Sequence, residues 1–163
     1  MEKLDREILE ILTGDSRYSA AKIAVMLGES EEKVAEAIKR MERDGTIVKY
    51  AAVIDNEAAS DEFVEAFIEV KVTPQRGTGF DAVAEEIAAC EEVRSVYLMS
   101  GGYDLAVIVE GRSLRSISRF VSERISTYEC VISTATHFIL KKYKIEGTLT
   151  HKNAAQMRLS IQP

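Results

Sequence analysis

The chain has 163 residues, 46% of them hydrophobic and 29% charged, with a formal net charge of −6 at pH 7. This is the composition of a globular protein with apolar content for one domain or two small ones, and its acidic balance is the wrong sign for indiscriminate polyanion binding. No apolar run approaches the roughly 20 residues of a membrane span, the start MEKLDREILEIL lacks a signal-peptide core, and Cys90 and Cys130 have no metal-ligand spacing, so a reduced cytoplasmic setting without metal or cofactor is expected.

From residue 3 to about residue 46 the pattern is helical. Leu4, Ile8, Ile11 and Leu12 share one face of a first helix. Ser19 is placed to cap a second, carrying Ile23, Ala24 and Leu27, and Gly28 breaks it. Ser30 caps a third, with Glu31 and Glu32 in its first turn and Val34, Ile38 and Met41 as its buried stripe; Asp44-Gly45 ends it. Thr46 to Ile54 then reads as a strand. Three short helices, a tight turn before the third and a strand after it make a winged helix-turn-helix over residues 1–54.

After a polar linker, 55–62, the grammar changes. Val64, Ala66, Ile68, Val70 and Val72 alternate with Glu65, Phe67, Glu69 and Lys71, the period of a strand. Pro74 to Gly79 is a loop, and Phe80, Val83, Ala84, Ile87 and Ala88 recur at helical spacing. Val93 to Ser100 and Asp104 to Glu110 read as strands around Gly101-Gly102, which suits a two-residue type I′ turn. Leu114, Ile117, Phe120, Val121 and Ile125 form a second amphipathic helix, and Val131 to Tyr143 a long last strand. Each half runs helix, then an acid and a cysteine near a valine, Cys90-Glu-Glu-Val93 and Glu129-Cys-Val131, then strand, a weak internal echo. The order is βαββαβ over 63–144, a ferredoxin-like α+β sandwich. The tail, 145–163, has no clear period.

Two helices cover one face of such a sheet and leave the other open. Here Phe63 and Phe67 fall on the open side of the first strand, and both faces of Asp104 to Val109 are largely apolar. A homodimer stacked sheet on sheet through Phe63, Phe67, Val107 and Val109 would supply the missing layer; the alternative is that the N-terminal domain covers it. Asp104 opens a buried strand, where a carboxylate is costly unless paired. Two uses stay open for it: acceptor for its own turn beneath Tyr103, or partner for the ammonium of a bound amino acid whose carboxylate meets glycine N–H groups.

The chain resembles the Lrp/AsnC (feast/famine) family of transcription regulators over nearly everything from Leu4 to Lys144. The matching signals are Leu4-Asp-Arg-Glu-Ile-Leu9, Asp15-Ser-Arg17, Ala21-Lys-Ile-Ala-Val-Met-Leu-Gly28, Arg40-Met-Glu-Arg-Asp-Gly-Thr-Ile47, Gly101-Gly-Tyr-Asp-Leu105 and Val131-Ile-Ser-Thr-Ala-Thr136. The resemblance implies a head that binds double-stranded DNA and a C-terminal domain that oligomerises, as dimers reaching an octamer, and binds amino acids or related metabolites. It places the effector at subunit contacts lined by the Gly-x-Tyr-Asp turn. The expected effector site is Ser100, Gly101, Gly102, Tyr103 and Asp104, with hydroxyls from Thr134 and Thr136 of the same or a neighbouring subunit. On the head, the expected DNA contacts are Arg17, Ser30, Glu31, Lys33, Glu36, Lys39, Arg40, Arg43 and Lys49. The third helix departs from the family pattern: it carries Glu31, Glu32, Ala35, Glu36 and Lys39 outward and has Ala37 where an arginine is common. Acids there repel phosphates, although a glutamate accepts from cytosine N4.

Two rivals stand beside this reading. Some siroheme decarboxylase subunits share the two-domain layout, with a histidine and arginine stretch after the wing; here Tyr50 to Asn56 holds no histidine. His137 and His151 are the only histidines, and no Ser/His/Asp, Cys/His or metal-spaced cluster is present, so no catalytic residue is expected. The acidic third helix keeps open a metabolite sensor that does not bind DNA.

Overall fold

The computed structural model describes residues 2–55, 59, 63–74 and 79–150. Most of the 55–62 linker and the tail from residue 151 lie outside the described residues. The chain divides between Val53 and Ile54 into two compact units.

The first unit is three helices: α1 (Lys3–Gly14), α2 (Ala20–Leu27) and α3 (Glu31–Arg43). Ser19 and Ser30 accept the backbone N–H of Lys22 and Lys33, so each serine takes up a donor that the helix start leaves orphaned. Gly28 sits at φ 69°, the left-handed conformation that closes α2 and that a side chain would strain. The three helices bury Ile8, Leu12, Ile23, Ala24, Val34, Ala37 and Met41 against one another. Ala37 is 2% exposed. Its side chain is therefore core, and the missing arginine of the family pattern is not a lost outward contact.

Thr46 to Ile54 is not a strand. A strand needs a neighbour for its N–H and C=O groups, and the described residues of this unit contain none. The segment is tied back to α3 instead, by Ile47 N–H to the Met41 carbonyl and by the Tyr50 hydroxyl, which donates to Glu42 Oε1 at 2.9 Å.

The second unit runs β1 (Val64–Val72), α4 (Asp81–Ala88), β2 (Val93–Leu98), β3 (Leu105–Gly111), α5 (Leu114–Glu123) and β4 (Val131–Ile139), with a 3-10 turn at Ile125–Thr127. The sheet order is β2-β3-β1-β4 and every pairing is antiparallel. Both helices lie on one face, and the core between the layers includes Ala66, Ile68, Val70, Val83, Ile87, Leu105, Ile117, Phe120 and Ile125. Val107 and Val109 belong to this core and are fully buried. They face the helices, and the open side of β3 carries Ala106, Ile108 and Glu110 instead. A strand apolar on both faces gives no parity signal, and pairing with β1 decides it: Ile68 lies opposite Val107, and Phe67 opposite Ile108.

β4 stops at Ile139 rather than continuing to Tyr143. Beyond it, β5 (Lys144–Ile145) and β6 (Thr148–Leu149) form a small hairpin. Its central residues, Glu146 and Gly147, both have positive φ, 45° and 78°, as a type I′ turn requires. The expected I′ turn at Gly101-Gly102 is not built: neither glycine has positive φ. β2 and β3 are joined by a longer loop, Met99 to Asp104, closed by Met99 N–H to the Asp104 carbonyl at 2.8 Å.

Candidate functional sites: the α3 face and the 99–104 loop

On the first unit, α2, the Gly28 turn and α3 form a helix-turn-helix whose second helix is exposed along one side. Glu31, Glu32, Lys33, Glu36, Lys39, Glu42 and Arg43 are all exposed. Several expected DNA contacts already have partners. Lys33 pairs with Glu29 at 2.9 Å, Arg43 with Asp44 at 3.1 Å and Arg17 with Asp15 at 2.7 Å. The Arg17 guanidinium and backbone N–H hold the Asp15 carboxyl down at about 2. These pairs are solvent-exposed and cost little to exchange for phosphate. Arg40 differs, because its Nη2 lies 2.5 Å from the Asp5 carboxylate, whose side chain is only 7% exposed. Arg40 is therefore a structural cation. Ser30 serves as the α3 cap, while Lys39 and Lys49 are exposed.

On the second unit, the Asp104 side chain does not accept from its own turn. Its Oδ2 accepts the Val72 N–H at 2.8 Å, across on β1, and its own N–H donates to the Val70 carbonyl. Val72 sits where the β1–β4 register shifts, so its N–H leaves the ladder and the carboxylate takes it up. The Tyr103 ring meets Phe67 edge-on, with centroids 5.9 Å apart. Ser100, Gly101 and Gly102 are exposed, and no hydrogen bond is seen from either glycine N–H among the described residues.

Thr134 and Thr136 do not join this loop. They pair with Val70 and Ile68, whose side chains face the helices, so both hydroxyls lie on the covered side of the sheet. Tyr103 and Phe67 are on the other side. Nothing in the sequence alone reports the β4 parity, which comes from its register with β1.

The open face is aromatic at its centre and lined by acids that each have a partner. Phe67 touches both Tyr103 and His137, each with a centroid separation of 5.9 Å. Glu69 pairs with His137 at 3.3 Å, Glu110 with Arg94 at 2.9 Å, and Glu65 with Lys142. Phe63 is half exposed. Among the described residues no group of three or more His, Cys, Asp and Glu is placed to hold a metal ion, and no helix is long and apolar enough to cross a membrane.

A helix-turn-helix head followed by an antiparallel α+β domain is the architecture of a two-domain DNA-binding protein. Sequence comparison agrees on both halves. Residues 1–42 match the AsnC-type helix-turn-helix domain, and residues 65–149 match the Lrp/AsnC ligand binding domain. An uncharacterised HTH-type transcriptional regulator of Bacillus subtilis, YugG, is 46% identical over 98% of this chain and 96% of its own. A second HTH-type regulator, PF1231 of Pyrococcus furiosus, is 34% identical over 85% of this chain and 91% of its own. The crystal structure of the Neisseria meningitidis regulator NMB0573 in complex with L-Met has the same fold, with a TM-score of 0.71 at 22% identity, covering 91% of this chain and 96% of that one. The chain belongs to the Lrp/AsnC family of transcriptional regulators.

Proposed function

We propose that this regulator is a cytoplasmic, non-enzymatic protein that reads double-stranded DNA as a homo-oligomer, dimers assembling toward an octamer, and responds to an amino-acid-like effector at the 99–104 loop. The observation that carries this reading is the exposed loop itself. It sets two glycines with free N–H groups, suited to a carboxylate, beside an aspartate with one oxygen uncommitted, suited to an ammonium. The L-Met held by the Neisseria protein of the same fold supports the chemical class. Phe63, Phe67 and the open sheet face support sheet-on-sheet dimers; the octamer rests on the family resemblance. Thr134 and Thr136 enter the effector site only if a neighbouring subunit brings them.

The test is calorimetric titration of the amino acids into the full chain, with the Asp104→Asn and Asp104→Ala variants alongside. Asparagine retains an oxygen for the Val72 N–H but loses the charge. An ammonium partner predicts that Asp104→Asn keeps its thermal midpoint while losing at least about tenfold in affinity, within the roughly 1.5–3 kcal/mol of a charged hydrogen bond. Full affinity in folded Asp104→Asn removes the aspartate from the effector site. Absence of binding by the unaltered chain across all twenty amino acids overturns the effector class.

A further inference from the structure

The buried side chains Val34, Ala37 and Met41 define the inner side of α3. At about 100° per residue, the side chains farthest from them are Glu32, Glu36, Lys39 and Arg43, spaced i, i+4, i+7 and i+11 along one exposed stripe. The stripe is ordered, with both acids toward the N-terminus and both bases toward the C-terminus. Arg40, which flanks it, is held by the nearly buried Asp5; Lys33 and Arg43 make exposed pairs with Glu29 and Asp44 that exchange readily for phosphate, and Lys39 has no ion-pair partner among the described residues. Glu32 has a local reason to be where it is, since the first turn of a helix favours acids. Glu36 lies beyond that turn and has no hydrogen-bond or ion-pair partner among the described residues.

An unpaired carboxylate facing a polyphosphate lowers affinity unless it meets a donor. An ionised glutamate only accepts, and the major-groove edges of guanine and thymine offer it only acceptors. Adenine offers N6–H beside the N7 acceptor, which repels the second oxygen; cytosine offers N4–H alone. The midpoints of the acidic and basic pairs are seven residues apart, about 10 Å along the axis at 1.5 Å per residue. With the acids over the base edges, the two cations are carried that far along the helix, away from the base contacts and toward the sugar-phosphate backbone.

We infer that Glu36, with Glu32 beside it, selects cytosine in each half-site, while Lys39 and Arg43 hold the phosphates bordering the same groove. The inference rests on the DNA-binding role of the head and adds what that head reads.

The experiment is selection from randomised duplexes by the full chain and by Glu36→Gln, Glu36→Ala and Lys39→Ala, followed by binding measurements at several salt concentrations. The unaltered chain should enrich cytosine at one mirrored position of each half-site. Glu36→Gln should move that position to adenine, because glutamine pairs with adenine N6 and N7. Glu36→Ala should lose about tenfold of discrimination there and bind unrelated DNA more tightly. Lys39→Ala should weaken all sequences alike and lower the salt slope by about one. Selection of the same site by Glu36→Gln and Glu36→Ala overturns the inference, as does sequence-blind binding by the unaltered chain. Failure of the unaltered chain to bind any duplex at low salt sinks the DNA-binding role of the head itself, a different outcome that removes the inference with it.

Discussion

The Asp5 carboxylate is 7% exposed and accepts twice, from the Glu2 N–H at 3.1 Å and from Arg40 Nη2 at 2.5 Å. One contact starts α1 and the other ties α1 to α3, residues 35 apart in sequence. Removing Arg40 leaves a nearly buried carboxylate with only a backbone donor. Arg40→Ala should therefore destabilise the head by about 1–3 kcal/mol, read as a lower urea midpoint, before any effect on DNA is measured. Lys39→Ala, one residue away and exposed, should leave that midpoint unchanged. Equal midpoints for Arg40→Ala and the unaltered chain would make Arg40 a free surface cation after all. Residue type alone does not separate these neighbouring cations, because both sit on a helix amid acids. What separates them is a partner 35 positions away.

At the scale of elements, the legible features are those with local causes. Ser19 and Ser30 before amphipathic runs place α2 and α3, and strict alternation from Val64 to Val72 places β1 and its inner face. The illegible ones depend on pairing. β3 is apolar on both faces, so nothing in Leu105 to Val109 says which valines meet the helices. The threonines of β4 take their side of the sheet from Val70 and Ile68. Gly101-Gly102 permits a tight turn without requiring one, and the chain puts positive φ at Glu146-Gly147 instead. The glycine that packing does require is Gly111, where β3 runs into the start of α5. A Cβ there would lie 2.7 Å from Ser116 Oγ and 2.9 Å from Ile117 Cγ1. Ser116 is held in a reciprocal cap with Ser113, and Ile117 is in the core, so neither yields freely. Gly111→Ala should cost about 1–3 kcal/mol in thermal or denaturant unfolding. Gly101→Ala meets nothing within 4 Å and has no left-handed φ to violate, so it should stay within about 0.5 kcal/mol. A reversed order would mean that the strained backbone sits in the 99–104 loop.

For the whole molecule, the open sheet face decides whether the chain is complete alone. Helices cover one side of the β2-β3-β1-β4 sheet, and the other presents Phe67, Tyr103, Ile108 and His137 at its centre. Carboxylates on such a face would resist burial, yet Glu65 pairs with Lys142 and Glu110 with Arg94, and Glu69 lies 3.3 Å from His137 Nε2. A face whose acids already have polar partners is suited to being covered by a second copy of itself, and a two-fold interface would place Phe67 near its counterpart. Phe67→Glu puts a further carboxylate at the aromatic centre of the face, against Tyr103 and His137. It does so twice in a symmetric dimer, at several kcal/mol per uncompensated ion. The substitution lies outside the core between sheet and helices, so the domain should keep its far-ultraviolet spectrum. Its dimer dissociation constant should rise by about 100-fold or more, since each 1.4 kcal/mol is a factor of ten. Light scattering across a concentration series reads this directly, and Phe67→Leu should remain assembled. A monomeric unaltered chain at micromolar concentration, or a Phe67→Glu variant that still dimerises, would mean that something other than a second copy covers the sheet.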